Sequence, residues 1–165
     1  MSIDVIKRFF FAIVLCLVQA LVLNRVHLYG YATPLLYIVF PLYFHSSQSK
    51  ASALLWCFCL GLAIDIFSNT PGMSSAALTF VALLQPAVLR VFIPREEEED
   101  FAPSISEMGF MKFFTYALIL IVIHCTVFFT LEAFSFFDLI QWASSIGGSA
   151  ALTLFVVIAL DKIFR

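Results

Sequence analysis

Charged residues are scarce in this chain. Nine Lys or Arg and eleven Asp or Glu among 165 residues make 12%, while hydrophobic residues make 62% and mean hydropathy is +1.03. A soluble domain carries about 25% charged and about 45–50% apolar residues, so the composition predicts an integral membrane protein. A span takes about 20 residues, and six of them leave no length for a separate soluble domain. A basic patch is also missing: net charge is −2, and five of the eleven acids sit in the single run 96–100. That excludes nucleic acid as a partner.

Cysteine motifs are absent as well. Cys16, Cys57, Cys59 and Cys125 all lie in apolar segments, where a thiol behaves as a small hydrophobe. Cys57 and Cys59 are two apart and point to different sides of a helix, so they form neither a redox pair nor a zinc knuckle. Lys7 and Arg8 precede an apolar run, but no small-x-small cleavage site follows it. The run is therefore expected to be an uncleaved first span.

What the chain does have is apolar runs at membrane length. Spans are expected at about 9–23, 34–44, 53–67, 74–93, 110–131 and 139–160. The second is the weakest: it is short, it contains Pro34 and Pro41, and it is expected to be kinked or partly irregular. Gln19, the one strongly polar residue inside span one, is expected to bond to a neighbouring helix. His27 reads as an interfacial histidine. His124, at mid-depth in span five, reads as an interhelical hydrogen-bonding group rather than a proton relay. Pro86 is expected to kink span four, and Arg90 to reach the headgroups. The run 96–100 repels itself and is expected to stay solvated.

The stretch from Gly61 to Ala77 organises the rest. Gly61, Asp65 and Ser68 fall at i, i+4 and i+7, one stripe of a helix that carries a smooth patch, an acid and a hydroxyl. Asn69, Thr70, Pro71 and Gly72 then supply turn chemistry, and Asn69 or Ser74 can cap the next helix. A helical hairpin follows. A carboxylate near the end of a span is paired, wetted or functional. Two readings of Asp65 stay open: a residue bonded to the turn that follows it, or a contact used by a partner or ligand.

Span six carries two rows of small residues, Ala143, Gly147 and Ala151 on one and Ser144 with Gly148 on the next. Such rows let two helix backbones approach closely. They are either a seam inside the bundle or a groove for a partner's helix. With the N-terminus cytoplasmic and six spans, eight of the nine Lys and Arg fall inside and only Arg25 outside. Both termini are then cytoplasmic, and Asp65, Glu132 and Asp138 lie on the outer side.

The size, the six-span hydropathy and the signature Gly61, Asp65, Pro71, Gly72 and Ala76 resemble the bacterial rod shape-determining protein MreD family. Pro34 at the opening of span two and the short charged C-terminus are similar too. The resemblance covers nearly the whole chain. It implies an all-α polytopic bundle of six transmembrane helices, similar to the substrate-binding S-components of energy-coupling-factor transporters. It further implies a noncatalytic scaffold of the cell-wall elongation machinery in the bacterial cytoplasmic membrane. Such a scaffold binds the bitopic protein MreC and, through it, the MreB filament, and it associates with the elongation glycosyltransferase and a penicillin-binding transpeptidase.

No nucleophile with its base, no metal cluster and no pair of acids at a set separation is visible, so catalysis is not expected, and neither is a cofactor. Partner contacts are expected at Asp65, Ser68, Asn69, Pro71 and Gly72 of the hairpin and at Gly147, Gly148 and Ala151 of span six. The alternative is a small-molecule-binding transporter subunit, with its pocket around Asp65, Ser68, Asn69 and Glu132.

Overall fold

Where the apolar run is long, the chain is helical. The computed structural model describes residues 2–25, 30, 32–93, 101–134 and 138–164. Its helices are α1 (Ile3–Leu21), α2 (Val39–Leu42), α3 (Lys50–Ser68), α4 (Met73–Phe92), α5 (Ile105–Met108), α6 (Phe110–Ala133) and α7 (Leu139–Phe164). Five of them, α1, α3, α4, α6 and α7, are long and apolar enough to cross a membrane. Among the described residues there is no strand. This is a multi-pass membrane bundle. His27 and the acidic run 96–100 lie outside the described residues.

The helices pack in the series α1, α3, α4, α6, α7. Leu78 and Val81 of α4, Phe113, Tyr116 and Ile121 of α6 and Val157 of α7 are fully buried between them. Large apolar side chains such as Phe10, Leu55, Ile66, Val91 and Phe155 point outward, as lipid-facing residues do. Helix α4 continues through Pro86.

Span two, expected to be short and kinked or partly irregular, is the one expected span without a membrane-length helix. Residues 34–44 form a short extended stretch, one 3-10 turn at Leu36–Ile38 and the single-turn α2. Two prolines in eleven residues remove amide donors and clash with a continuous helix, so no regular helix forms. The segment is nevertheless enclosed by the long helices: Leu35, Leu36, Tyr37, Ile38, Val39, Phe40 and Leu42 are all buried.

Enclosed irregular backbone needs partners that a helix would have supplied internally. Side chains of the surrounding helices provide them. The Thr33 amide donates to Ser149 Oγ and the Leu35 amide to Thr153 Oγ1, each at 3.0 Å. Gln19 accepts from the Leu36 amide at 2.8 Å and donates to the Pro34 carbonyl at 3.1 Å. Tyr116 donates to the Leu42 carbonyl at 3.0 Å, and Gln85 donates to the Phe44 carbonyl at 3.2 Å and to Tyr116 Oη at 3.0 Å. The Tyr43 hydroxyl then donates to Asp161 at 2.7 Å. Residues 33, 35 and 43 thus meet 149, 153 and 161 in turn, so the segment runs alongside α7 for roughly 18 Å at 1.5 Å per helical residue.

These contacts define two ends of the bundle. The hairpin end holds the α3–α4 turn, the close of α6 and the start of α7. The terminal end holds the starts of α1 and α3, the loop at 45–48 and the close of α7. At the terminal end Ser46 and Phe101 exchange two hydrogen bonds, and Asp161 also accepts from the Ile105 amide at 3.3 Å.

Candidate functional site

Helix α3 ends where Asn69 takes a left-handed conformation, φ 56°, and returns its amide to the Asp65 carbonyl. Gly72, φ 78°, then starts α4, and no side chain of that cap position satisfies the helix's first amides. Those amides need acceptors. Asp65 supplies them from the preceding helix: its carboxylate accepts from the Ser74 amide at 2.8 Å, the Ser75 amide at 3.0 Å and the Thr70 hydroxyl at 2.9 Å. The carboxylate also sits at the N-terminal end of α4, where the helix dipole is positive. Asp65 is 5% exposed. Of its two readings, the bond to the following turn is the one observed. Gly61, a turn earlier on the same stripe, faces the Ser75 backbone directly.

Around this hairpin lies a cleft of about 650 Å³. Ser68, Thr70 and Ser74 form one wall, Phe128, Phe129 and Glu132 of α6 another, and Trp142 and Ser145 of α7 a third. Asn24, at the close of α1, lines it too; it donates to Ser68 Oγ and accepts from Gln19 Nε2. Tyr37 reaches the cleft from the irregular segment. Its hydroxyl lies beside Ser74 yet makes no hydrogen bond among the described residues, and neither does the buried Nε1 of Trp142. The sequence offered a signal for Ser68 and Glu132, which carry polar chemistry near span ends. Tyr37 and Trp142 gave none, because an aromatic in an apolar run reads as core.

His124 is fully buried beside this region, edge-on to Tyr37 with ring centroids 5.1 Å apart and stacked near Phe128. Neither ring nitrogen makes a hydrogen bond among the described residues, although the ring lies beside the Ala77 backbone. The neighbour across the helix interface is the α4 backbone at Ala77, the kind of interhelical partner expected of it. Gln19, in contrast, bonds as a polar residue in a span should, with the irregular segment as its partner in place of a helix.

The predicted contact residues separate into inward and outward groups. Asp65 is turned inward. Ser68 is half-buried at the cleft, and Asn69, Pro71 and Gly72 are exposed at the hairpin tip. On α7 the small residues part company at Gly148, while Ser144 of its own row is exposed. Gly148 faces the chain's own Ala32, and a Cβ built on it would stand 3.0 Å from the Ala32 Cβ. Ala143, Gly147 and Ala151 are exposed, and a Cβ on Gly147 would meet nothing within 4 Å. The buried polar row is Ser145, Ser149 and Thr153. Cys16, Cys57 and Cys125 are buried and Cys59 is exposed, all as free thiols. Among the described residues no three His, Cys, Asp or Glu side chains gather into a metal-holding group.

Comparison with family models, with curated proteins and with solved structures finds nothing that matches this chain.

Proposed function

We propose that this chain is a noncatalytic membrane scaffold of the MreD type, seating the single membrane helix of MreC in the bacterial cytoplasmic membrane and helping maintain rod cell shape. The irregular segment at 32–44 counts as a sixth crossing, which returns the chain between α1 and α3 and leaves both termini cytoplasmic. The bundle is then of the kind found in energy-coupling-factor S-components. MreB joins indirectly through MreC, and the elongation glycosyltransferase and penicillin-binding transpeptidase assemble alongside.

The observation that carries this reading is the outward row Ala143, Gly147 and Ala151. Gly147 has open space where a side chain would stand, so a second helix backbone can come close, which is how helices associate in lipid. Asn69, Pro71 and Gly72, exposed at the hairpin tip, offer a second, extracytoplasmic contact. Native mass spectrometry of the protein released gently from its host membrane tests the proposal. Co-recovery of a bitopic coiled-coil protein, lost on Gly147→Leu, supports it; its absence from intact, well-folded protein counts against it.

One observation favours a second reading, a small-molecule-binding transporter subunit. The cleft at the hairpin end falls within the size range of ligand pockets, about 300–1,000 Å³, and two of its lining residues, Tyr37 and Trp142, carry buried polar atoms that make no hydrogen bond among the described residues. A stoichiometric small mass retained in the same spectra, lost on Tyr37→Phe, would favour that reading over the scaffold.

A further inference from the structure

The first turns of α1 carry Asp4, Lys7, Arg8 and Phe11 at i, i+3, i+4 and i+7, one face of the helix. That face does not meet another long helix. It looks across a groove of about 470 Å³ at the terminal end, whose far wall is the close of the irregular segment, from Phe40 to Ser47. The floor is aromatic: Phe11 stacks on Phe40 with centroids 6.2 Å apart, and Phe40 meets Phe44 edge-on at 5.1 Å. The rim is basic, with Lys7 and Arg8 on one side and His45 on the other.

Neither Lys7 nor Arg8 has an ion pair or hydrogen bond among the described residues, and Arg8 is half-buried. The Tyr43 hydroxyl in the same groove is already engaged by Asp161. Counting the fixed charges, two cations less Asp4 leave a net +1, which matches a singly charged phosphodiester better than a free phosphate of about −1.5 to −2. An apolar strip continues outward from the groove along α1, where Ile3, Ile6, Phe9 and Phe10 are all exposed. A ligand held here by its phosphodiester has a hydrocarbon surface beside it for acyl chains.

We propose that this groove is a binding site for the headgroup of an anionic phospholipid, one with a phosphodiester and no compensating cation, such as phosphatidylglycerol. Basic pockets on the cytoplasmic side of membrane bundles recognise phosphate headgroups in this way, with Arg binding phosphate in a forked geometry and Lys as a point charge. The aromatic floor excludes water from beneath the ion pairs. Asp4 disfavours multiply charged headgroups and leaves one anion as the best fit. The site lies at the opposite end from the cleft and the hairpin, and does not depend on which partner the scaffold holds.

The test is native mass spectrometry of the full chain released from mixed micelles that hold phosphatidylglycerol, phosphatidylethanolamine and phosphatidylcholine with identical acyl chains. Wild-type protein should retain phosphatidylglycerol preferentially. Lys7→Gln/Arg8→Gln should cut that preference by about 30-fold, from the typical contribution of two basic residues near a membrane surface, while thermal unfolding stays unchanged. Lys50→Gln, an exposed cation at the same end but outside the groove, should leave the preference intact. Equal retention of all three headgroups overturns the proposal. So does an equal loss on Lys50→Gln, which would mean diffuse attraction. Displacement of the lipid by millimolar inorganic phosphate would reassign the groove to a soluble phosphate and overturn the lipid assignment.

Discussion

Gly61 of α3 lies against the backbone of Ser75 of α4: a Cβ built on Gly61 would stand 2.3 Å from Ser75 Cα and 2.7 Å from its amide nitrogen. This contact sets the spacing of the hairpin. Because Ser75 is held so close, its amide comes within 3.0 Å of the Asp65 carboxylate one turn further along α3. The glycine and the acid therefore act on the same residue, one by absence of a side chain and the other through its charge.

Gly61→Ala should accordingly destabilise the protein more than any other single-methyl addition in α3, because backbone atoms cannot yield as a flexible side chain can. The expected cost is about 2–3 kcal/mol, at the upper end of overpacking penalties. Thermal unfolding in detergent against Ser52→Thr, a half-buried single-methyl control on the same helix, measures it.

Asp65→Ala removes the acceptor for two helix amides and a hydroxyl at once. With hydrogen bonds to a charged group contributing about 1.5–3 kcal/mol each and partly replaced by water at the membrane surface, a loss of about 3–4 kcal/mol is expected. Asp65→Asn keeps one acceptor oxygen and should lose less. Hydrogen exchange of the Ser74 and Ser75 amides would register both. Unchanged protection in the alanine variant would show that the cap is not supplied by this side chain.

Gln19→Leu tests how the irregular crossing is held. It strands the Leu36 amide and the Pro34 carbonyl, two buried groups at about 1–3 kcal/mol each. The leucine is more apolar and still fits a membrane helix, so insertion should be normal while thermal stability falls. A stability equal to wild type would mean that water or another group takes over both bonds.

Gly147→Leu and Gly148→Leu should separate association from folding. Gly147 faces open space, so the leucine should leave unfolding temperature unchanged and reduce partner recovery at least tenfold. Gly148 packs on Ala32, so the same change there should destabilise the isolated protein. Parallel thermal melts and co-purification of the two variants give the comparison.

Long apolar runs make five helices legible in the sequence, because about 20 consecutive apolar residues have no other stable place than a membrane span. The hairpin was legible for a local reason. Asp65, Asn69 and Gly72 lie within eight residues, and helix-end chemistry acts over that range. Even so, two roles for Asp65 remained open, since sequence spacing alone does not say whether a carboxylate points at the next helix or away from it.

Residues 34–44 show where local reading stops. Their prolines argued for irregularity, but the groups that make the irregularity tolerable come from Gln19, Gln85, Tyr116, Ser149 and Thr153, up to 118 positions away. No local pattern links them. The cleft has the same origin, since Tyr37, Ser68, Glu132 and Trp142 meet only once the helices have closed.

The sequence by itself determined that this is a multi-pass helical membrane protein with a capped hairpin at its centre, because hydropathy and turn chemistry are properties of neighbouring residues. Only the tertiary structure decided which of the two adjacent glycines on α7 faces the chain and which faces out. Gly147 and Gly148 are adjacent in sequence and about 100° apart around the helix, and the rotation of α7 is set by the Ser149 and Thr153 hydroxyls bonding to a segment more than a hundred residues away.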